Sequence, residues 1–240
     1  MSIRFAALAV VGLFAAGCHV NADAEDREAG PEVTRNYKVG AFDKIEIAGP
    51  YDVKVVSGGD GAIIARGGEN LLAETDVVVE GDTLKIMPKK RKGVRWNWRG
   101  GKAEFTVNAA ALHGASIAGS GNLTVDRLAG DFDGNVAGSG DMRLGELAGG
   151  KVDLSIAGSG KIEAAGKADS VDLNIAGSGD IDAGRLTSRA ADLSIAGSGN
   201  IRANASESAD VSIMGSGNVE VLGGAKCSVS KAGSGNVSCG

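Results

Sequence analysis

Only two histidines, His19 and His113, occur among 240 residues. His19 lies in a polar N-terminal stretch, which leaves a single histidine for acid–base chemistry. A Ser-His-Asp triad then has no spare parts, and no nucleophile elbow is visible. The Gly-rich corners are never followed by Lys-Ser/Thr and a helical pattern, so a phosphate-cradling loop is excluded. Scattered Cys and His do not offer the clustered ligands of a zinc site, and no cofactor is expected. The carboxylates are more interesting. Asp133, Asp153, Asp172, Asp192 and Asp210 recur every 18 to 20 residues. Stacked about 4.8 Å apart on successive strands, they would repel one another and need compensation. Calcium suits carboxylates, but the nonapeptide calcium repeat is absent, and solvent with nearby Lys and Arg can screen exposed Asp. No metal is assigned to this ladder.

Cations concentrate elsewhere. Lys85, Lys89, Lys90, Arg91, Lys92, Arg95, Arg99 and Lys102 fall between residues 85 and 103 with no acid among them. The whole chain carries a formal charge of −5. Without Arg4 it is −6, and everything outside this segment sums to −14. Trp96 and Trp98, both of the chain's tryptophans, share the segment at i, i+2. Arg beside Trp suits anionic glycans, lipid phosphates or a partner's acidic face. Lys89, Lys90, Arg91, Lys92, Arg95, Trp96, Trp98 and Arg99 therefore form the candidate binding patch. The alternative is a solvated hairpin tip whose tryptophans cover the side of the fold.

What positions these groups follows from composition and repetition. Glycine supplies 39 residues and proline three, with 43% hydrophobic and 4% aromatic residues. Gly without a three-residue period and with almost no Pro excludes collagen, and the apolar content is enough for a core. Gly-Ser-Gly occurs at 119–121, 138–140, 158–160, 177–179, 197–199, 215–217 and 233–235. A steady period near 19 residues means a solenoid of stacked coils. The next residue is Asn or Asp in six copies and Lys161 in the other, which reads as a sharp backbone corner tolerant of positive φ.

The flanks alternate with period two, as strands do. Ile117, Val136, Ile156, Ile175, Ile195 and Ile213 form one inward column, which Lys231 breaks in the last coil. Leu123, Met142, Ile162, Ile181, Ile201, Val219 and Val237 form another after the corner. The column six residues before each motif reads His113, Phe132, Val152, Val171, Ala191, Ala209, Cys227, so His113 is expected to line or cap the core. The fold class is all-β, a single-stranded parallel β-helix. Residues 36–110 lack the motif but keep the strand grammar, so about 205 residues would make about 11 coils and a rod about 50 Å long.

Residues 1–17 read as a secretory signal: Arg4, an apolar run from Phe5 to Phe14, then small residues. Ala-Ala-Gly-Cys resembles a bacterial lipobox with Cys18 as the lipidated residue, although Ala15 stands where the strongest examples carry Leu. Cleavage near Gly17 with Cys18 left as a free thiol is the alternative. Acyl chains on Cys18 would hold the protein on a membrane without a spanning segment. His19 after the cysteine favours the outer membrane. Residues 18–35 are polar and acidic and read as a tether to a domain at 36–240. A secretory signal also argues against a nucleic-acid reading of Lys-Lys-Arg-Lys. With Cys18 consumed by lipid, Cys227 and Cys239 remain as an even pair in an oxidising compartment. They lie six residues before and after Gly233, in two columns that face each other across a narrow core, and are expected to form a disulfide stapling the last coil.

Phe42-Asp-Lys-Ile-Glu-Ile, Gly49-Pro-Tyr-Asp-Val-Lys-Val, Thr83-Leu-Lys-Ile and the serial Gly-Ser-Gly-Asn/Asp together resemble the GIN-domain family. The resemblance covers roughly residues 36–240. Its members are described as heads of "putative auto-transporter adhesins", formerly a domain of unknown function. The resemblance implies a β-helical protein of the bacterial cell envelope and carries over no catalytic residue. The expected function is a non-enzymatic, lipid-tethered binding module, with an anionic glycan or another envelope protein as partner. A polysaccharide-active enzyme and a periplasmic accessory protein are the alternatives.

Overall fold

The structure, a computed structural model, describes residues 25–59, 61–89, 96–99 and 102–240, with backbone alone for 25–27 and 96–99. Its N-terminal part contains β1 (Glu25–Glu28), β2 (Glu32–Lys38), β3 (Lys44–Ala48), β4 (Tyr51–Ser57) and β5 (Ala62–Gly68). A one-turn helix α1 (Glu69–Ala73) follows, then β6 (Thr75–Glu80), β7 (Thr83–Pro88), β8 (Trp96–Arg99) and β9 (Ala103–Ala109). The repeat region runs through β10 (Gly114–Gly119), β11 (Asn122–Ala129), β12 (Phe132–Gly138), β13 (Asp141–Ala148), β14 (Lys151–Gly158) and β15 (Lys161–Lys167). It continues with β16 (Ser170–Gly177), β17 (Asp180–Gly197), β18 (Asn200–Gly215), β19 (Asn218–Leu222), β20 (Lys226–Gly233) and β21 (Val237–Cys239).

The solenoid is as the period requires. Strands before each Gly-Ser-Gly stack in parallel, β10 on β12, β12 on β14, β14 on β16, and onward to β20. Strands after it stack likewise, from β11 through β13 and β15 to β21. The Ile117 and Leu123 columns are buried in every coil before the last: Leu123, Ile162, Ile156 and Ile195 are at most 1% exposed. Alternation in the sequence thus becomes one narrow apolar core between two polar sheet faces.

Glycine makes the corner possible. The first glycine of every motif sits at φ between 119° and 141°, a region L side chains rarely adopt. The third glycine has ordinary φ, but a Cβ there would strike the carbonyl of the coil below, as Gly140 against Gly121. Successive corners are hydrogen-bonded, with the Ser159 amide donating to the Gly138 carbonyl at 2.8 Å. None of the described non-glycine residues has positive φ, so the Asn or Asp after the motif is not a turn former.

The N-terminal third departs from simple stacking. β3 and β4 form a layer whose neighbours are β10 and β11 on one side and β7 and β9 on the other. The chain therefore makes the second layer first, leaves it, makes the end layer, then steps across to the third. Residues 58–82, read above as further coils, instead close the end. β6 adds antiparallel to β7, while β5 adds to β9 and β2 to β5. Leu71 and Leu72 of α1 are buried against the core, and the Tyr51 hydroxyl meets Thr75 Oγ1 at 3.2 Å. Seven Gly-Ser-Gly coils plus two layers span about 38 Å at about 4.8 Å per layer, shorter than 11 coils would be. The stretch 18–35, read as a tether, holds β1 and the start of β2.

The other end is open. Val229 of β20 is 49% exposed although its column is buried in earlier coils, because no further coil covers it. Cys227 and Cys239 are joined in a disulfide with Cα atoms 6.6 Å apart, as their columns predict. Lys231, where other coils have Ile or Val, turns its ammonium onto the Gly235 carbonyl at 2.8 Å.

Candidate functional site

Two ladders of polar side chains cover the solenoid's sheets. On the first, Asp133, Asp153, Asp172, Asp192 and Asp210 are paired in register from coil to coil. The neighbouring column is Ser116, Asn135, Ser155, Asn174, Ser194, Ser212, Ser230, and the next is alanine from Ala118 to Ala196. Small side chains in straight rows make this face flat. The expected repulsion is met by donors on the same face. Asn135 donates to Asp133, Asn174 Nδ2 donates to Asp172 Oδ1 at 2.7 Å, and Lys151 lies 3.1 Å from Asp153. The Lys151 ammonium is held protonated to higher pH by that carboxylate. Among the described residues, no three His, Cys, Asp or Glu side chains converge to hold a metal ion.

The second sheet carries amides and ion pairs. Asn122 donates to Asp52 at 2.6 Å, Asn200 to Asp180 at 2.7 Å, and Asn218 to Asn200 at 2.9 Å. This ladder explains the residue after the corner at Asn122, Asp180, Asn200 and Asn218, expected above to form the turn: there it bonds to the same position one coil away. The column beside it mixes both signs (Arg143, Glu163, Asp182, Arg202, Glu220), with Arg143 near Glu163 at 3.6 Å and Arg202 on Glu220 at 3.0 Å. Lys161, bonded to Glu163, keeps that carboxyl below its usual range despite an opposing burial effect. A shallow trough runs here along Lys161, Asp182, Asn200, Arg202, Asn218 and Glu220. Arg143 and Lys161 pair with Glu163 and Arg202 pairs with Glu220, which leaves shape and hydrogen bonding for recognition.

His113 is exposed rather than inward, and Leu112 fills the core beside it. The column breaks because regular pairing in β10 begins only at Gly114. His113 shares a shallow depression with Lys44, Glu46, Thr83, Asp133 and Asn135. Its Nδ1 meets the Asp131 carbonyl at 3.3 Å. Lys44 is bound to Asp82 at 2.8 Å, a contact that raises the lysine pKa and lowers that of Asp82. Proton transfer near neutral pH needs displacements in the other direction. The same holds for every displaced carboxylate and amine among the described residues.

The basic patch is only partly described. Lys90, Arg91, Lys92 and Arg95 lie outside the described residues, as does Cys18. Trp96, Trp98 and Arg99 lie in β8, which pairs in parallel with β1 in a separate two-stranded ribbon. Lys89 is exposed, and its amide donates to the Glu74 carbonyl at 2.8 Å. Lys85 does not belong with them, being engaged by Glu80 at 2.8 Å and Glu46 at 3.7 Å. None of the described helices is long and apolar enough to cross a membrane.

Known structures share this architecture. A Bacteroides fragilis protein described as a putative adhesin is 28% identical, with a TM-score of 0.78 over 89% of this chain and 99% of its own. A Parabacteroides distasonis protein described as a "putative lipid binding protein" is also 28% identical, with a TM-score of 0.75 over 90% of this chain and 100% of its own. A Parabacteroides merdae protein, 21% identical with a TM-score of 0.69 over 90% of this chain and 100% of its own, shares the fold. No curated protein matches the chain. The family model described as "Putative auto-transporter adhesin, head GIN domain" matches residues 41–225, and with its repeats, corners and stacked layers accounted for, the chain belongs to that family.

Proposed function

We propose that this protein is a non-enzymatic binding module of the bacterial cell envelope, held by lipid on Cys18 in the outer membrane and recognising a ligand on its flat sheet face. The observation that carries the reading is the Ser/Asn column beside the Asp ladder, repeated in register coil after coil. A rigid comb of donors and acceptors at fixed spacing, set beside a row of carboxylates, favours an extended, repetitive partner without acidic groups, such as a neutral glycan or a strand of another envelope protein, and leaves an anionic glycan to the basic patch around Lys89 and Arg99. Enzymes on the same fold need a converging acid and base, and the displaced groups here are tuned away from that role.

The test joins attachment to recognition. A fatty-acid probe is expected to label the wild type and not Cys18→Ala. On a glycan array, Ser194→Arg should remove binding by raising a bulky side chain from the flat face, with the melting temperature unchanged. Depolymerisation of any bound polysaccharide would replace this reading with the enzyme.

A further inference from the structure

The flat face of the first sheet stops short of the capped end. Along its carboxylate column the residues read Asp153, Asp133, Gly114, Lys44, Thr83 in register, and along the next Ser155, Asn135, Ser116, Glu46, Lys85. Small side chains thus give way to long charged ones over β3 and β7. Ion pairs hold these in place, with Lys44 on Asp82 at 2.8 Å and Lys85 between Glu80 at 2.8 Å and Glu46 at 3.7 Å. They stand as a wall across the path of anything lying along the face. In front of the wall Gly114 replaces the Asp of the next five coils, and the surface sinks into the depression bordered by His113. Its volume is about 260 Å³, just under the range of about 300–1,000 Å³ that drug-sized ligands fill and enough for one sugar ring.

The groups around this depression retain hydrogen-bonding capacity. Ser116 Oγ has no partner among the described residues. With the His113 Nδ1 proton donated to the Asp131 carbonyl, Nε2 is left as an acceptor. Asp133 takes the Asn135 amide on Oδ1 and keeps Oδ2, and Asn135 keeps its second N–H. Carboxylate, amide, imidazole and hydroxyl thus offer donors and acceptors together, which suits vicinal hydroxyls, each of them both donor and acceptor. The backbone of β10 is spent on its neighbours β3 and β12, so a peptide finds no strand edge to pair with. Lys44 is neutralised by Asp82, whereas Asp133 begins a row of carboxylates that repels a further acid.

We infer that this depression is an end subsite, which takes the terminal residue of a glycan lying on the flat face and accepts a neutral hexopyranose. The inference rests on the flat-face reading and deepens it: the wall of Lys44, Glu46 and Lys85 gives the face a stop, and the chain end is what meets it.

The experiment follows the imidazole signals of the chain from residue 18 onward, with Cys18→Ser, by NMR at constant pH. The probes are the methyl glycosides of glucose, galactose, mannose and N-acetylglucosamine, with methyl glucuronide as the acidic counterpart. At least one neutral glycoside is expected to shift His113 saturably while His19, in the N-terminal stretch, stays still as an internal control. The glucuronide should bind at least fivefold more weakly. Ser116→Ala and Asn135→Ala should each weaken binding about fivefold, the loss of one hydrogen bond. Gly114→Asn should abolish it with the melting temperature unchanged, since Gly114 has ordinary φ and the exposed Lys44 side chain, 3.3 Å from a Cβ placed there, has room to shift. Wild type whose His113 ignores all four neutral glycosides, or which binds the glucuronide as tightly, overturns the inference, and these readings need no variant to fold. A folded Gly114→Asn that binds as before overturns it too. An oligosaccharide whose array binding is lost in Ser194→Arg but which leaves His113 unshifted sinks only the end subsite. His113 that responds to the glycosides while Ser194→Arg loses nothing on the array sinks only the flat-face reading.

Discussion

Gly158 shows how little freedom the corner leaves. Its φ is +135°, and a Cβ there would collide with the Gly138 carbonyl of the adjacent coil. Backbone strain and overpacking each cost about 1–3 kcal/mol, so Gly158→Ala should destabilise by roughly 2–5 kcal/mol in a denaturant titration. Ser159, between the two glycines, is exposed, and Ser159→Ala should stay within about 0.5 kcal/mol. The Gly-Ser-Gly pattern is legible from sequence because geometry forces the same residue at the same place in every coil. The following Asn or Asp was legible as a position but not as a role. Asn tolerates turns and also stacks into ladders, and only the pairing of Asn200 with Asp180 decides between them. His113 was misplaced for a related reason. Counting residues from a motif presumes that pairing extends that far, and here it stops one residue short.

The two ends of the solenoid are finished by different elements. At one, α1 with β2, β5 and β6 covers the core; at the other a disulfide closes β20 onto β21 across a separation of 12 residues. A loop of that size contributes about 3 kcal/mol. Because each coil contacts chiefly its neighbours, the loss should stay local. Reduction, or Cys227→Ala with Cys239→Ala, is expected to speed amide exchange in β20 and β21 while β14 and β16 keep their protection. Hydrogen-exchange mass spectrometry checks it, and uniform deprotection would contradict the nearest-neighbour picture. The seven repeated coils could be read from the sequence in nearly full detail, down to which column would be buried. The cap could not. Ala62–Gly68 and Thr75–Glu80 alternate as well as any coil strand does, and alternation reports a strand's faces without its direction or its neighbours. The ribbon was invisible for the same reason: residues 25–28 carry three acids and no apolar side chain, so nothing in them marks a strand.

At the scale of the molecule, one terminal face exposes sheet edges and part of an apolar column. Lys231 sits where Ile213 sits one coil earlier, and a charge on a terminal edge opposes pairing with another copy. Lys231→Ile should therefore raise self-association, seen as a concentration-dependent faster boundary in sedimentation velocity, with little change in the unfolding midpoint of the dilute protein. The opposite end raises a different matter, the order in which the chain is made. β3 and β4 leave a ribosome, and any export channel, ahead of all four strands that flank them. One edge of each can be matched once β7 and β9 are made, by residue 109, but the other stays open until β10 and β11 have emerged, at residue 129. A solenoid stacked in chain order could fold as it appears, whereas this one must wait. A chain made in this order cannot close prematurely, and the second layer of the rod is locked in only after its later-made neighbours arrive on both sides.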